Sequence, residues 1–140
     1  MTYLLDTNVV SEWARPHPNP GVVRWLADVD EDRVYISVLT FGELRRGVDR
    51  LTPGRRRHRL DTWLSEELAD RFVDRVLPMD QDVADVWGRL LAHSESAGRP
   101  VGAVDGLIAA TAEHHGLEVV TRNVKDFEST GVRLLNPWSD

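Results

Sequence analysis

A chain of 140 residues with 41% hydrophobic residues can bury one core, so we expect a single domain over residues 1–140. The absence of cysteine excludes a disulfide framework, a thiolate zinc site and a cysteine nucleophile. The net charge of −6, taken alone, argues against nucleic-acid binding. The N-terminus lacks the basic and apolar segments of a signal peptide and no stretch is long enough to span a membrane, so we expect a soluble, cytoplasmic protein with no membrane partner.

Apolar runs and helical stripes alternate along the chain, bounded by residue types that cap helices or form turns. In chain order we predict a strand at 3–5, helices through 9–13 and 22–29, a strand at 34–37, helices through 41–48 and 60–68, a strand at 73–77, helices through 83–91 and 104–115, and strands at 117–121 and 132–135. We predict Thr40 as the cap of the helix after the second strand. Strands that alternate with helices predict an α/β domain with a mainly parallel sheet.

One segment is strongly basic although the chain as a whole is acidic. Residues 45–59 contain one acid, Asp49, and seven arginines: Arg45, Arg46, Arg50, Arg55, Arg56, Arg57 and Arg59. Such a patch can bind RNA locally, because each arginine that neutralises a phosphate adds affinity that depends on salt but not on sequence. The alternative is an ordinary solvated helix face and loop, and the sequence leaves both interpretations open.

Acidic residues follow the predicted strands or begin the helices after them. Asp6 directly follows the first strand, Glu43 lies in the first turns of the helix after the second strand, and Asp105 lies in the first turn of a later helix. The loop after the fourth strand adds Asn123 and Asp126. In a parallel sheet all of these side chains would project over one edge, which is the edge where such sheets bind ligands.

Each acid alone has a structural explanation, because Asp6 can cap a helix and Glu43 or Asp105 can stabilise the positive end of a helix dipole. Together they would repel one another and raise one another's pKa unless a cation neutralised them. Hard oxygen ligands without a nearby His or Cys favour Mg²⁺ or Mn²⁺ over zinc. Such an ion can activate a water for attack on a phosphodiester. The polar neighbours that we predict to orient ligands or water are Thr7, Asn8, Thr121 and Asn123.

Four blocks of sequence carry a resemblance to a known family. They are Tyr-Leu-Leu-Asp-Thr-Asn at 3–8, Phe-Gly-Glu-Leu at 41–44, Asp-Gly-Leu-Ile-Ala-Ala-Thr-Ala at 105–112 and Val-Thr-Arg-Asn-Val-Lys-Asp-Phe at 120–127. In order and spacing the blocks resemble the signature of PIN-domain ribonucleases, and more closely the VapC and FitB-like toxins of bacterial toxin–antitoxin pairs. The resemblance implies a three-layer α/β/α domain with a parallel five-stranded sheet, and an endoribonuclease that depends on Mg²⁺ or Mn²⁺. It also implies a homodimer and a small antitoxin partner of the VapB or FitA kind that blocks the site.

The resemblance assigns roles to individual residues. By matching motif, it implies that Asp6, Glu43 and Asp105 are the core metal ligands. Many members have Asp where this chain has Asn123, and Asp126 lies three residues further on, so these two remain rival candidates for the fourth position. Single-stranded or looped RNA is the expected substrate, because its bases can splay out and stack.

Two other functions stay open on the sequence. A magnesium-dependent phosphohydrolase or phospho-acceptor domain could work through Asp6, although Asn8 stands where a phosphoaspartyl route would want a second acid. A PIN-like module that binds without cutting is the other, and Asn123 is the only feature in its favour.

The large apolar residues also have more than one interpretation. Trp63, Leu64 and Leu68, at helical spacing, can form core, a dimer interface or a groove for the antitoxin. Trp13 or Trp25 could stack on RNA bases, but core packing is the favoured interpretation.

Overall fold

Five short parallel strands form the centre of the described chain, residues 1–139, in the order β3-β2-β1-β4-β5. They are β1 (Tyr3–Leu5), β2 (Val34–Ser37), β3 (Val76–Leu77), β4 (Glu118–Val120) and β5 (Leu134–Leu135). Every neighbouring pair in this computed structural model is parallel, which confirms the predicted sheet. The strand order reverses direction between β1 and β4, and the carboxyl ends of such a strand pair are where open α/β sheets bind ligands.

Helices connect the strands and cover both faces of the sheet. In chain order they are α1 (Thr7–Trp13), α2 (Pro20–Asp28), α3 (Val38–Asp49), α4 (Arg55–Thr62), a π-helical segment (Trp63–Leu68), α5 (Ala69–Arg71), α6 (Gln81–Ser96), α7 (Ala103–His115) and α8 (Val124–Phe127). Single 3₁₀ turns at Glu31–Arg33 and Glu128–Thr130 precede β2 and follow α8. Within residues 1–139, none of the helices combines the length and the apolar character needed to cross a membrane.

Two hydrophobic cores lie on opposite faces of the sheet. The first packs α1, α2, α3 and the π-helical segment, and its buried side chains include Val9, Val22, Leu44, Leu64 and Leu68. The second packs α6, α7 and α8 through Leu90, Ile108, Ala109, Ala112 and Phe127. Because side chains alternate along a strand, Leu5 enters the first core and Leu4 the second. The helices on both faces confirm the three-layer α/β/α architecture.

The prediction that Thr40 caps the helix after β2 is wrong. The cap is Ser37, the last residue of β2, whose hydroxyl accepts a hydrogen bond from the Leu39 N–H at 3.1 Å. Thr40 lies inside the first turn of α3 and is fully buried. A serine that ends a strand and caps the next helix lets α3 start directly at the sheet edge, three residues earlier than Thr40 would.

Three elements also differ from prediction in their bounds or in their presence. β3 is two residues long rather than spanning 73–77, because the chain turns at Asp74, where φ is +65°, and Val73 is exposed. β5 begins later than predicted, at Leu134. The segment after β4, predicted as a loop, contains the short helix α8, which buries Phe127 in the second core.

The tryptophans of α1 and α2 pack against the first core. Trp13 meets Phe72 edge to face with ring centroids 6.3 Å apart, and Trp25 meets Tyr3 in the same way at 5.1 Å. Both tryptophans are half-buried. These contacts support core packing over a stacking platform for RNA.

The apolar stripe of the π-helical segment divides between core and surface. Leu64 and Leu68 are each 2% exposed and belong to the first core. Trp63 is half-buried and lines a surface cavity of about 610 Å³ together with Arg59 and Arg71. Only Trp63 of the three is therefore positioned to meet a partner molecule.

Candidate active site

Asp6 stands at the junction of β1 and α1, beside the end of β4. Its N–H donates to the carbonyl of Val120 at 2.9 Å. The hydroxyl of Thr121 donates to Oδ2 at 2.8 Å, and the N–H of Thr7 donates to Oδ1 at 2.8 Å. Asp6 is 7% exposed. Its burial and these contacts at the ends of two adjacent strands fix the positions of both carboxylate oxygens. Oδ1, which accepts a single hydrogen bond, keeps a lone pair that a cation could take.

The side chain of Asn8 closes a polar network around this carboxylate. Its Nδ2 donates to Asp6 Oδ2 at 3.4 Å and to Thr121 Oγ1 at 3.3 Å, and its Oδ1 accepts from the Arg122 N–H at 3.4 Å. Thr121 Oγ1 also accepts from the Asn123 N–H at 3.0 Å. The network ties the segment after β4 to the start of α1, and it brings the predicted polar neighbours of the acids together.

Glu43 reaches the same edge from the second turn of α3. The hydroxyl of Thr7 donates to Oε1 of Glu43 at 2.5 Å and lies 3.4 Å from the hydroxyl of Thr40. Thr7 therefore holds two acids, Asp6 through its N–H and Glu43 through its hydroxyl. Thr40 is the member of this group that the sequence analysis missed. The signal was its position three residues before Glu43, which places both on one face of α3.

Asp105 is positioned by the contact between α6 and α7. Trp87 Nε1 donates to the carbonyl of Ala103 at 3.2 Å, at the start of α7. A Cβ on Gly106 would lie 3.1 Å from the side chain of Leu91, so this glycine lets the two helices approach closely. Asp105 itself is half-buried and lines a cavity of about 200 Å³.

The acids at this edge raise one another's pKa. Burial is the largest cause of the raised pKa of Asp6. The hydrogen bonds from Thr121 and Thr7 oppose that shift, and the charges of Glu43 and Asp126 add to it. The carboxylates are therefore close enough for their charges to interact.

Asp105 shows the largest resolved effect of this crowding. Its pKa rises to about 6, first because of burial and then because of the charges of Asp6, Asp126 and Glu43. An acid with a pKa near 6 is about half protonated at pH 6 and only about a tenth protonated at pH 7. Such a shift in a cleft, caused by burial and by named charges, is characteristic of functional sites.

Asp126 and Asn123 differ in what they bring to the site. The charge of Asp126 raises the pKa of both Asp6 and Asp105, and Asp126 lines the cavity beside Asp105. Asn123 contributes its backbone, because its N–H donates to Thr121 and its carbonyl accepts from the Asp126 N–H at 3.0 Å. This geometry favours Asp126 as the fourth acid.

The donor set fits a hard divalent cation that keeps several water ligands. The acids supply only oxygen donors, and a cation that binds beside them would relieve the repulsion between their negative charges. Within residues 1–139, no group of three or more His, Asp or Glu side chains is arranged so that it could hold a metal ion by itself. Mg²⁺ and Mn²⁺ tolerate this arrangement, because Mg²⁺ in particular usually binds through one or two carboxylates and retains waters.

The basic segment lies mainly away from these acids, on α3, α4 and the loop between them, over the first core. Arg45 donates to Asp61 at 2.7 Å and to Asp49 at 3.4 Å, so acids of the protein itself engage this arginine. Arg57 lies 3.9 Å from Asp49. Arg46, one turn after Glu43, lies on the same face of α3 as that acid. None of the seven arginines lines the cavity beside Asp105.

Two basic residues that the sequence analysis did not select do line that cavity. They are Arg99, in the loop between α6 and α7, and Lys125 on α8. Lys125 lies inside the fourth signature block, and Arg99 follows the Gly98 turn that ends α6. Isolated cations in a loop or a four-residue helix carry no periodic signal, so only the fold brings them next to Asp105 and Asp126.

Comparisons with known proteins give a matching family and close relatives. The family model of the PIN domain matches residues 3–132. The chain is 41% identical to Toxin FitB of Neisseria gonorrhoeae over 98% of this chain and 99% of that one. It is 37% identical to VapC ribonuclease Y4jK of Sinorhizobium fredii over 96% of each chain.

Solved structures give the same result at the level of the fold. The crystal structure of FitAcB from Neisseria gonorrhoeae superposes with a TM-score of 0.94 at 40% identity, and the match covers 99% of this chain and 100% of that chain. Other structural neighbours include a member of the VapBC family of toxin–antitoxin systems.

Proposed function

This chain belongs to the PIN-domain family, and we propose that it is an endoribonuclease that depends on Mg²⁺ or Mn²⁺ and acts as the toxin of a toxin–antitoxin pair. The observation that carries the proposal is the group of mutually repelling acids at the β1–β4 edge, with the pKa of Asp105 raised to about 6. Relatives named as a toxin and as a ribonuclease support it.

Asp6, Glu43 and Asp105 would hold the ion, with Asp126 as the fourth acid and Asn123 as its rival. When bound, the ion supplies a Lewis acid that acidifies a water and stabilises the negative charge that develops on a phosphodiester under attack. The dense hydrogen bonding of Asp6 suits this role, because a ligand whose orientation is fixed in advance does not have to be ordered when the ion binds.

The surrounding residues orient the acids. Thr121 and the Thr7 N–H keep Asp6 in one rotamer, and the Thr7 hydroxyl keeps Glu43 within reach of the same ion. Asp105, which carries a proton in part of the population when no cation is present, would lose it as the ion binds. Binding should therefore release protons at a pH near 6.

The expected partners follow from the family. We propose that the substrate is cytoplasmic RNA, that a small antitoxin of the VapB or FitA kind blocks the site, and that the toxin is a homodimer. The neighbours solved as toxin–antitoxin assemblies support the antitoxin partner.

Cleavage of total bacterial RNA by the purified protein tests this function. We expect cleavage with Mg²⁺ or Mn²⁺, none in excess chelator, and a loss of at least about 100-fold in Asp105→Asn, since even residues that only orient a metal ligand cost 10- to 100-fold. Asp82→Asn, an equivalent change in the first turn of α6, is the matched control and should cut as the wild type does. Cleavage that persists in chelator, or in Asp105→Asn at the control's rate, would contradict the proposal.

A further inference from the structure

The cavity beside Asp105 is lined by both acidic and basic side chains. It encloses about 200 Å³ between the loop that joins α6 to α7 and the helix α8. Asp105 and Asp126 form one part of the lining, and Arg99, Lys125 and Ser129 form another. The cavity is therefore continuous with the acids proposed to hold the ion. Its volume is below the usual range for a pocket that binds a whole small molecule, which suits a single phosphate group.

The backbone fixes where the first of these cations stands. Gly98, at a φ of +70°, ends α6, and the N–H of Arg99 then donates to the carbonyl of Ser94 at 2.9 Å. The Arg99 guanidinium is 4.0 Å from the Glu128 carboxylate, and both side chains are more than half exposed. An exposed pair at this distance is weak, so the guanidinium remains available to another anion.

Two further groups add positive potential to the same cavity. Lys125 is exposed on α8 and has no ion-pair partner among residues 1–139. Gly102, the N-cap of α7, has no side chain to accept from the first N–H groups of that helix. Those N–H groups form the positive end of a helix of thirteen residues, and Gly102 and Asp105 at that end line the cavity.

The balance of charge makes anion binding depend on the metal. Without an ion, the two acids of the lining offset Arg99 and Lys125. With a divalent cation on Asp105 and its neighbours, the cavity becomes net positive, and an anion is attracted to it. In a ribonuclease, the anion that the substrate would place at this position is a phosphate of the RNA backbone.

We propose that Arg99 and Lys125 form a binding site for a backbone phosphate of the RNA next to the phosphate that is cut. The inference rests on the proposed ribonuclease function and extends it by giving the position of one flank of the substrate. The site reads no base, so it contributes affinity and register rather than sequence preference.

Steady-state cleavage of an RNA oligonucleotide copied from a mapped cut site tests the proposal, with Arg99→Gln, Lys125→Gln and the double variant. We expect each single change to raise KM by about fivefold and to alter kcat much less, as for loss of one exposed charge contact. The slope of log kcat/KM against log salt should become less negative by about 0.7 for each contact removed. Arg99→Lys, which keeps the charge, should restore most of the wild-type KM.

Two further variants control for general electrostatics. Arg89→Gln changes the net charge equally on the exposed side of α6, where Arg89 pairs with Asp85 at 2.8 Å, and it should leave KM and the salt slope unchanged. Glu128→Gln removes the acid opposite Arg99 and should lower KM.

The outcomes separate the two proposals. If the wild type cuts RNA and the double variant has the KM and salt slope of Arg89→Gln, the phosphate site is wrong and the ribonuclease function stands. If the wild type does not cut RNA with Mg²⁺ or Mn²⁺, the proposed function fails and this site fails with it. A shift in KM without a shift in the salt slope would also contradict a phosphate contact.

Discussion

The hydroxyl of Thr121 makes more contacts within the site than any other single group described in residues 1–139. It donates to Asp6, and it accepts from the side chain of Asn8 and the N–H of Asn123. Thr121 is fully buried and Asp6 is nearly so, and the Asp6 carboxylate would therefore lose a hydrogen bond that water does not readily replace if the hydroxyl were removed. This one side chain therefore sets the orientation of Asp6 and the path of the chain after β4.

Thr121→Val should lower both Mn²⁺ affinity and the cleavage rate by about 10- to 100-fold, the range for residues that orient a metal ligand. It should also lower the free energy of unfolding by about 1–3 kcal/mol, because buried polar groups lose their partners. Calorimetry, cleavage and urea unfolding measure the three quantities. Thr121→Ser keeps the hydroxyl and should retain the affinity for Mn²⁺. Equal affinities in the Val and Ser variants would show that the hydroxyl does not position Asp6.

Asp105 should make the stability of the metal-free protein depend on pH. Its pKa rises from 3.8 to about 6 on folding, so the folded state binds the proton more tightly. The stabilisation is therefore complete below pH 3.8 and is lost as the pH rises through about 6. We expect Asp105→Asn to flatten this part of the profile and to be more stable than the wild type above pH 6.

Thermal unfolding in chelator, measured between pH 4 and pH 7, checks this expectation. Asp82→Asn, on the exposed first turn of α6, should keep the wild-type profile. The account of Asp105 would have to be abandoned if its Asn variant melted below the wild type at pH 7.

The sequence could predict which acids share the edge, because a parallel sheet places the residues after its strands on one side. It could not distinguish helix capping from metal binding for Asp6, and the structure shows why: the Thr7 N–H bonds to Oδ1 as a cap would require, while Oδ2 meets Thr121. The role of Thr40 depends on a contact between α1 and α3, which no local pattern specifies.

At the scale of elements, the C-terminal segment is joined to the start of α2. Asn19 Oδ1 accepts from the N–H of Gly21 at 2.9 Å and from the N–H of Ser139 at 3.0 Å, so one side chain caps the helix and binds the tail. A Cβ at Gly21 would lie 2.4 Å from the carbonyl of Pro137. The tail also places Trp138 5.6 Å from the guanidinium of Arg122, next to the site.

Gly21→Ala should displace the tail and destabilise the protein by about 1–3 kcal/mol, the usual cost of forcing extra atoms into a packed position. Urea unfolding measures the change. Gly88→Ala is the control, because that glycine lies in α6 with open space around it and alanine there should stabilise by about 0.5–1 kcal/mol. If both variants shifted the free energy of unfolding in the same direction, the close contact at Gly21 would not limit the packing of the tail.

The elements whose bounds or presence the sequence patterns failed to predict are the short ones. β5 has two residues and α8 has four, too few to show a period of two or of 3.6 residues. They are fixed by distant partners instead: the N–H of Thr121 donates to the carbonyl of Leu135 at 2.9 Å, and Phe127 is buried against α7. Long helices with apolar stripes, such as α6 and α7, were predictable because each carries its own signal.

At the scale of the whole molecule, charge is divided between separate surfaces. The basic segment lies on α3 and α4 over the first core, and the acids lie at the edge between β1 and β4. Arg99 and Lys125, which line the cavity beside Asp105, come from the opposite face with α6 and α8. An RNA that crosses this edge would therefore meet positive charge on both sides of the proposed ion, while the remaining acidic surface repels it.

Mn²⁺ binding measured by calorimetry at pH 6 tests the central claim most directly, in the wild type and in Asp105→Asn. We predict that the wild type and the Asp82→Asn control bind the ion and release protons, because binding lowers the pKa of Asp105. Asp105→Asn should lose most of the affinity and the associated proton release. No binding by the wild type, or equal binding and proton release by Asp105→Asn, would contradict a metal centre built on these acids.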